Sequence, residues 1–321
     1  MQVFNLTLNQ MLMMFTLIIA GFILHKAHVL PDNAATVLSR LETYILMPAL
    51  NMSNMMTQCT PENLGKNAPL MLYGLIIVVV FIVLSYGLCN FFVRPKGDAK
   101  KAYESNVYKY ALAFGNFGFV GNFLVLNIWG AEVFFQYSLF TFPISIFCYA
   151  WGLYLMIPKE AGGSILDGLK KGLLSPPILA LFLGAALGLT GLAKYVPTFF
   201  VEAMNSAAPC MGPVAMILAG FVIGGYRLSS LFKDVKVYFL VALRLVILPA
   251  ALVGVLLLLK ADQWAVIFSL IAFATPVGMN TIVYPSAYGG DPKTGASMVV
   301  ISNTLAVLTI PLLFLLFQIS V

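Results

Sequence analysis

The chain has 321 residues, 61% of them hydrophobic and only 9% charged, with a net charge of +6 and a mean hydropathy of +0.95. That balance excludes a soluble globular domain and indicates a polytopic membrane protein, so the useful count is of spans and not of length-sized domains. The basic excess is no nucleic-acid signal, because membrane topology accounts for where Lys and Arg fall.

Ten apolar runs are predicted in chain order, near residues 11–28, 38–57, 68–92, 106–128, 133–156, 175–193, 207–226, 236–258, 264–288 and 295–319. Most are about 20 residues long, the length that crosses a hydrocarbon core as a helix. The first has neither a positively charged leader nor a small-residue cleavage site and reads as a retained span. Pro48 and Pro213 predict kinks in the second and seventh runs. Cys59, Cys89, Cys148 and Cys210 show no CxxC or Cys/His spacing and read as small hydrophobes, with no metal site and no disulfide framework. The connections after the odd-numbered runs hold fourteen Lys and Arg, Lys159 among them, against three (Lys66, Lys194 and Lys260) on the other side. The positive-inside rule makes the richer side cytoplasmic and puts both termini outside.

The fourth run, AFGNFGFVGNFLVLNIWGAE from Ala113 to Glu132, is interrupted by Gly115, Gly118 and Gly121 interleaved with Asn116 and Asn122. A continuous helix there would carry a Gly penalty of about 1 kcal/mol per residue and leave two amides in hydrocarbon. Small-residue helix packing would explain the glycines alone; the added asparagines favour a broken helix lining a polar cavity. The ninth run, AFATPVGMNTIVYPSAYGGD from residue 272, repeats the design with Pro276, Gly278 and Pro285. At an offset of 159 residues Ala113 falls on Ala272, Phe114 on Phe273, Asn116 on Thr275, Asn122 on Thr281 and Gly130 on Gly289. Interrupted spans at corresponding positions of two halves mark a transporter's binding site.

Five spans per half is an odd number, so two similar halves insert with opposite orientations. The expected fold is an all-α membrane protein of ten transmembrane helices, built as two inverted five-helix repeats (residues 1–160 and 161–321) with broken fourth and ninth spans crossing near the midplane. Half-helix N-termini suit an anionic group such as a carboxylate, and Asn116, Asn122, Asn280 and Thr281 could add neutral hydrogen bonds. Asn51, three residues after Pro48, is a candidate to face the cavity from the second span.

Several elements resemble bacterial members of the auxin efflux carrier family: AGFILHKAHVLPDNAATVLSRLETYILMPAL at 20–50, GFVG at 118–121, LRLVILP at 243–249 and YGGDPKTGAS…SNTLAVLTIPL at 288–312. The resemblance implies a fold shared with bile-acid:sodium symporter-like proteins. It implies a scaffold, usually dimeric (11–57 plus 175–226), and a transport domain (68–156 plus 236–319) moving in an elevator-like or rocking way. Carried over residue by residue, it implies substrate contacts at Asn116, Gly118, Gly121 and Asn122 in one break, and at Thr275, Pro276, Gly278 and Asn280 in the other. The implied substrates are organic anions such as malate, malonate or auxin-like acids, and the implied location is the cytoplasmic membrane. The chain lacks the plant carriers' long central loop. It also lacks an acidic residue in the second break, where sodium-coupled relatives place a cation ligand.

Other residues carry competing readings. Arg244, inside the eighth run, is a candidate anion or gate contact, with snorkelling or a carbonyl partner as alternatives. His25 and His28 read as a solvated turn sooner than a metal site. Glu132 and Asp291 read as end caps or gate pairs. A secondary carrier is the leading function; a channel or sensor on the same fold and a sodium-coupled symporter are alternatives. A membrane enzyme is disfavoured because no HExxH, no Asp-rich motif and no intramembrane carboxylate is expected. No cofactor is expected, and neither a P-loop nor a GxGxxG is present to bind ATP.

Overall fold

The computed structural model describes residues 2–157 and 164–318, so Lys159 lies outside the described residues. Helices account for the architecture: α1 (Gln2–Lys26), α2 (Ala34–Leu41), α3 (Met47–Gln58), α4 (Pro61–Asn67), α5 (Pro69–Phe92), α6 (Ala99–Ala113), α7 (Asn122–Phe147), α8 (Leu153–Met156) and α9 (Ile165–Leu173) come first. They are followed by α10 (Pro176–Thr190), α11 (Thr198–Ala207), α12 (Met211–Gly224), α13 (Leu228–Leu231), α14 (Val235–Ala242), α15 (Leu248–Leu258), α16 (Gln263–Ala274), α17 (Asn280–Tyr288) and α18 (Lys293–Leu316). No β-strand longer than a single bridged pair occurs among the described residues.

Six helical segments are long and apolar enough to cross a membrane, and the α9–α10 pair, bent by 52°, adds a seventh candidate. The segment Phe117–Met156 is 40 residues long, but at Gly130 the backbone turns to φ 84°, ψ −172° and divides it. Gly289, its counterpart at the 159-residue offset, ends α17 at φ 79°.

Helix ends follow local chemistry. Asp98, Asp234 and Asp262 accept from the first N–H groups of α6, α14 and α16, as Thr60 and Ser164 do for α4 and α9. Asp291 accepts from Lys293 N at 2.9 Å, which makes it an end cap; Glu132 is exposed. Two helices pass through a π-helical turn, Glu42–Leu46 and Leu243–Ile247, shortly before Pro48 and Pro249. A proline lacks the N–H that the carbonyl four residues earlier requires, and the wider turn accommodates the loss. Pro213, by contrast, sits in the first turn of α12, after a 3₁₀ turn at Ala208–Cys210.

Several helix pairs approach closely enough for backbone contact. A Cβ on Gly220 would strike the Ile18 carbonyl, so α1 and α12 pack face to face through small residues, and α3 lies along α10. Around α5 pack α6 and α7, and the apolar centre is dense with rings such as Phe81 against Phe273, 4.2 Å apart.

The positive φ at Gly130 is a conformation that only glycine holds cheaply, and no atom would meet a Cβ there within 4 Å. Gly130→Ala is therefore expected to cost about 1–3 kcal/mol and lower the melting temperature. Gly254→Ala, also uncrowded but inside helical α15, should leave it unchanged or raise it; equal effects in a thermal-unfolding assay would contradict this account.

Candidate functional site

Both interrupted runs break, and the breaks meet. α6 stops at Ala113, Phe114 is extended, and Asn116 (φ −83°, ψ 46°) leads into a π-helical turn at Phe117–Gly121 that continues as α7. α16 stops at Ala274, Thr275 is extended, and the helix resumes at Asn280. Gly115 and Val277 form an antiparallel bridge, and Asn116 N donates to Pro276 O at 2.7 Å. Val277 N donates to Ser302 Oγ of α18 at 3.0 Å, and Tyr137 Oη donates to Phe117 O at 3.2 Å. Protein partners thus take up the backbone groups at the crossing itself, as a break in hydrocarbon requires.

Beside the bridge lies a cavity of about 270 Å³. Asn116, Gly118 and Asn122 line it from the first break, Gly278 and Asn280 from the second, and Asn51 from α3. The side-chain amides of Asn116 and Asn122 have no protein hydrogen-bond partner among the described residues. Asn280 Nδ2 donates to Tyr110 Oη at 2.9 Å and lies 3.8 Å from Cys148 Sγ, itself 3.1 Å from Tyr110 Oη. Asn51 Nδ2 donates to Pro177 O at 3.0 Å and so ties α3 to the start of α10. No lining residue among the described residues is charged. Donors available to a bound group include the Asn116 and Asn122 amides and the leading N–H groups of the turn that starts at Phe117, which have no acceptor four residues back.

The other expected contacts do not line the cavity. Gly121 faces the Tyr137 hydroxyl, which a Cβ would strike. Thr275 Oγ1 donates to Ala272 O at 3.0 Å, Thr281 Oγ1 donates to Gly278 O at 2.9 Å, and Pro276 contributes its carbonyl to the bridge. These residues shape the breaks from behind the cavity wall. Arg244 is fully buried behind the bridge, its Nε donating to Ala111 O at 3.2 Å, which matches the carbonyl-partner reading.

Several residues were missed. Ser138, Thr141 and Ser145 form a hydroxyl row on the cavity wall, at three- and four-residue spacing that marks one helix face. Each donates to the carbonyl four residues back, which leaves lone pairs toward the cavity. Ser39 and Thr43 line it two turns and one turn before Met47. The expectation of no carboxylate within the spans is corrected by Glu42, which is 1% exposed in the second run, with both oxygens lacking a partner among the described residues. The His25 ring packs edge-on against Phe221 at 4.6 Å, and no group of three His, Cys, Asp or Glu among the described residues could hold a metal.

A helical membrane protein with a polar cavity where two helix breaks meet has the build of a membrane transporter. The chain belongs to the family of membrane transport proteins, which matches it over residues 6–168 and 164–314. It is similar to an uncharacterized transporter of Methanothermobacter thermautotrophicus, 24% identical over 302 residues that cover 94% of this chain and 95% of the relative. An uncharacterized transporter of Methanocaldococcus jannaschii is 21% identical over 314 residues, covering 95% and 97%. The family and both relatives are named as transporters, not as enzymes.

Glycines in the first break have separable jobs. A Cβ on Gly115 would strike Thr275 and Arg244, whereas on Gly118 its nearest neighbour would be Met47 Cε at 3.8 Å. Gly115→Ala should lower the melting temperature by several degrees, and Gly118→Ala should leave it near wild type, as read by thermal unfolding in detergent.

Proposed function

We propose that this protein is a secondary transporter that moves small organic anions, carboxylates such as malate, malonate or auxin-like acids, across the cytoplasmic membrane by alternating access. The observation that carries the reading is the pair of unpartnered amides, Asn116 and Asn122, facing an uncharged cavity at the junction of two broken helices. Buried polar groups without partners are costly, and a bound carboxylate would satisfy both amides together with the free N–H groups of the turn at Phe117. At about 270 Å³ the cavity has room for a small dicarboxylate such as malate.

Ten spans in two inverted halves are part of the proposal. In support, a 40-residue helix would be about 60 Å long, twice a ~30 Å hydrocarbon core, so Gly130 separates two crossings. The same 159-residue offset relates the positive-φ glycines 130 and 289. Close packing of α1 on α12 and of α3 on α10 supports a scaffold distinct from the segments that carry the breaks.

With the basic side cytoplasmic, the cavity runs from the breaks toward that side, since Ser39, Ser175 and Tyr284 lie in the cytoplasmic halves of their spans. This orientation supports an inward-facing state, and the proposed movement is elevator-like or rocking.

Proteoliposomes test the proposal by counterflow of labelled malate and malonate. Asn116→Ala and Asn122→Ala should each cut flux at least roughly tenfold, the loss of one or more charge-assisted hydrogen bonds, with melting temperatures unchanged. Absence of carboxylate counterflow in the wild type, or normal flux in both variants, would overturn it.

A further inference from the structure

Arg244 is the largest fully buried side chain among the described residues, and nothing in the cavity chemistry uses it. Its Nη1 and Nη2 have no hydrogen-bond partner, and no carboxylate pairs with it among the described residues. Its surroundings explain why a charge is tolerated there. Nε donates to Ala111 O in the last turn of α6. The guanidinium carbon lies 5.8 Å from the centre of the Phe273 ring, in the last turn of α16. Nη2 lies where a Cβ on Gly115 would come within 2.5 Å of it and within 3.0 Å of the Thr275 carbonyl. The guanidinium therefore sits where two half-helices end.

Each helix C-terminus carries about half an elementary negative charge, so two converging ends make close to one. In carriers built on broken helices such ends are where a free cation binds. We propose that Arg244 is a tethered counter-cation occupying that position, which neutralises the C-terminal ends of α6 and α16, holds the two breaks together and leaves no place for a coupling sodium ion. The independence from sodium rests on the transporter reading above; the electrostatic role does not. Arg244 is thus a positioning residue and not a substrate contact, and it acts on the cavity through the bridge.

The test uses the purified full-length protein in detergent and reads melting temperature at constant ionic strength. Arg244→Lys keeps a charge at nearly the same reach, and Arg244→Met keeps the bulk without the charge. Met should lose several degrees and Lys distinctly less. Arg244→Ala should fall as far as Met and recover most of the loss in millimolar methylguanidinium, but none in N-methylglucamine. Wild-type protein should melt at the same temperature in sodium and in choline. Equal losses for Met and Lys, no recovery of Ala with methylguanidinium, or a saturable sodium-specific rise in the wild type would overturn the proposal. If the variants do not fold, the sodium titration of the wild type decides. Failure of malate counterflow with these results intact would remove the transport reading and leave the role of Arg244 standing.

Discussion

An interrupted helix inside a bilayer leaves N–H and C=O groups that hydrocarbon cannot satisfy, and this structure meets that constraint by making two interruptions satisfy each other. Gly115 bridges Val277, Asn116 donates to Pro276, and Ser302 and Tyr137 take the neighbouring groups. Everything else at the centre depends on that exchange. Gly115 is fixed as glycine because Thr275 and Arg244 fill the space a side chain would need. Thr275 and Thr281 turn their hydroxyls to local carbonyls. What remains for a ligand is the cavity side of the junction, where Asn116, Asn122 and Asn280 lie.

The two buried acidic or basic side chains among the described residues, Glu42 and Arg244, both lie in π-helical turns shortly before a proline. Such turns widen the helix locally and are frequent at functional positions. Arg244 has the ends of two half-helices to balance it, whereas α10 and α12, two of the helices packed against the Glu42 turn, bring no charged side chain to it. The same local device therefore carries two different electrostatic situations.

Much of this was legible from residue types. Gly and Asn in one run, and Pro, Gly and Asn in the other, located both breaks to within a few residues, because those residues disfavour helix interiors for backbone reasons that tertiary context does not remove. Sequence could not separate residues that face the cavity from those that face the backbone, so Gly121, Thr275, Pro276 and Thr281 were grouped with Asn116 and Asn280. Their division depends on the bridge register, a contact between segments about 160 residues apart. Helix starts were placed too late where polar residues precede the apolar run. α1 begins at Gln2 and α6 at Ala99, the latter because Asp98 caps a polar first turn. Glu42 escaped notice because one carboxyl in an apolar run near a basic loop reads as an interfacial residue until its burial is seen.

The account's central claim is that both breaks meet at the floor of one cavity reached from the cytoplasmic side. Cysteine accessibility measures this directly. In a background with the four native cysteines replaced by serine, Gly118→Cys and Asn280→Cys should both react with a membrane-impermeant thiol reagent applied from the cytoplasmic face of inside-out vesicles, and neither from the opposite face. Reaction of the two positions from opposite faces, or of neither from any face in a folded protein, would contradict it.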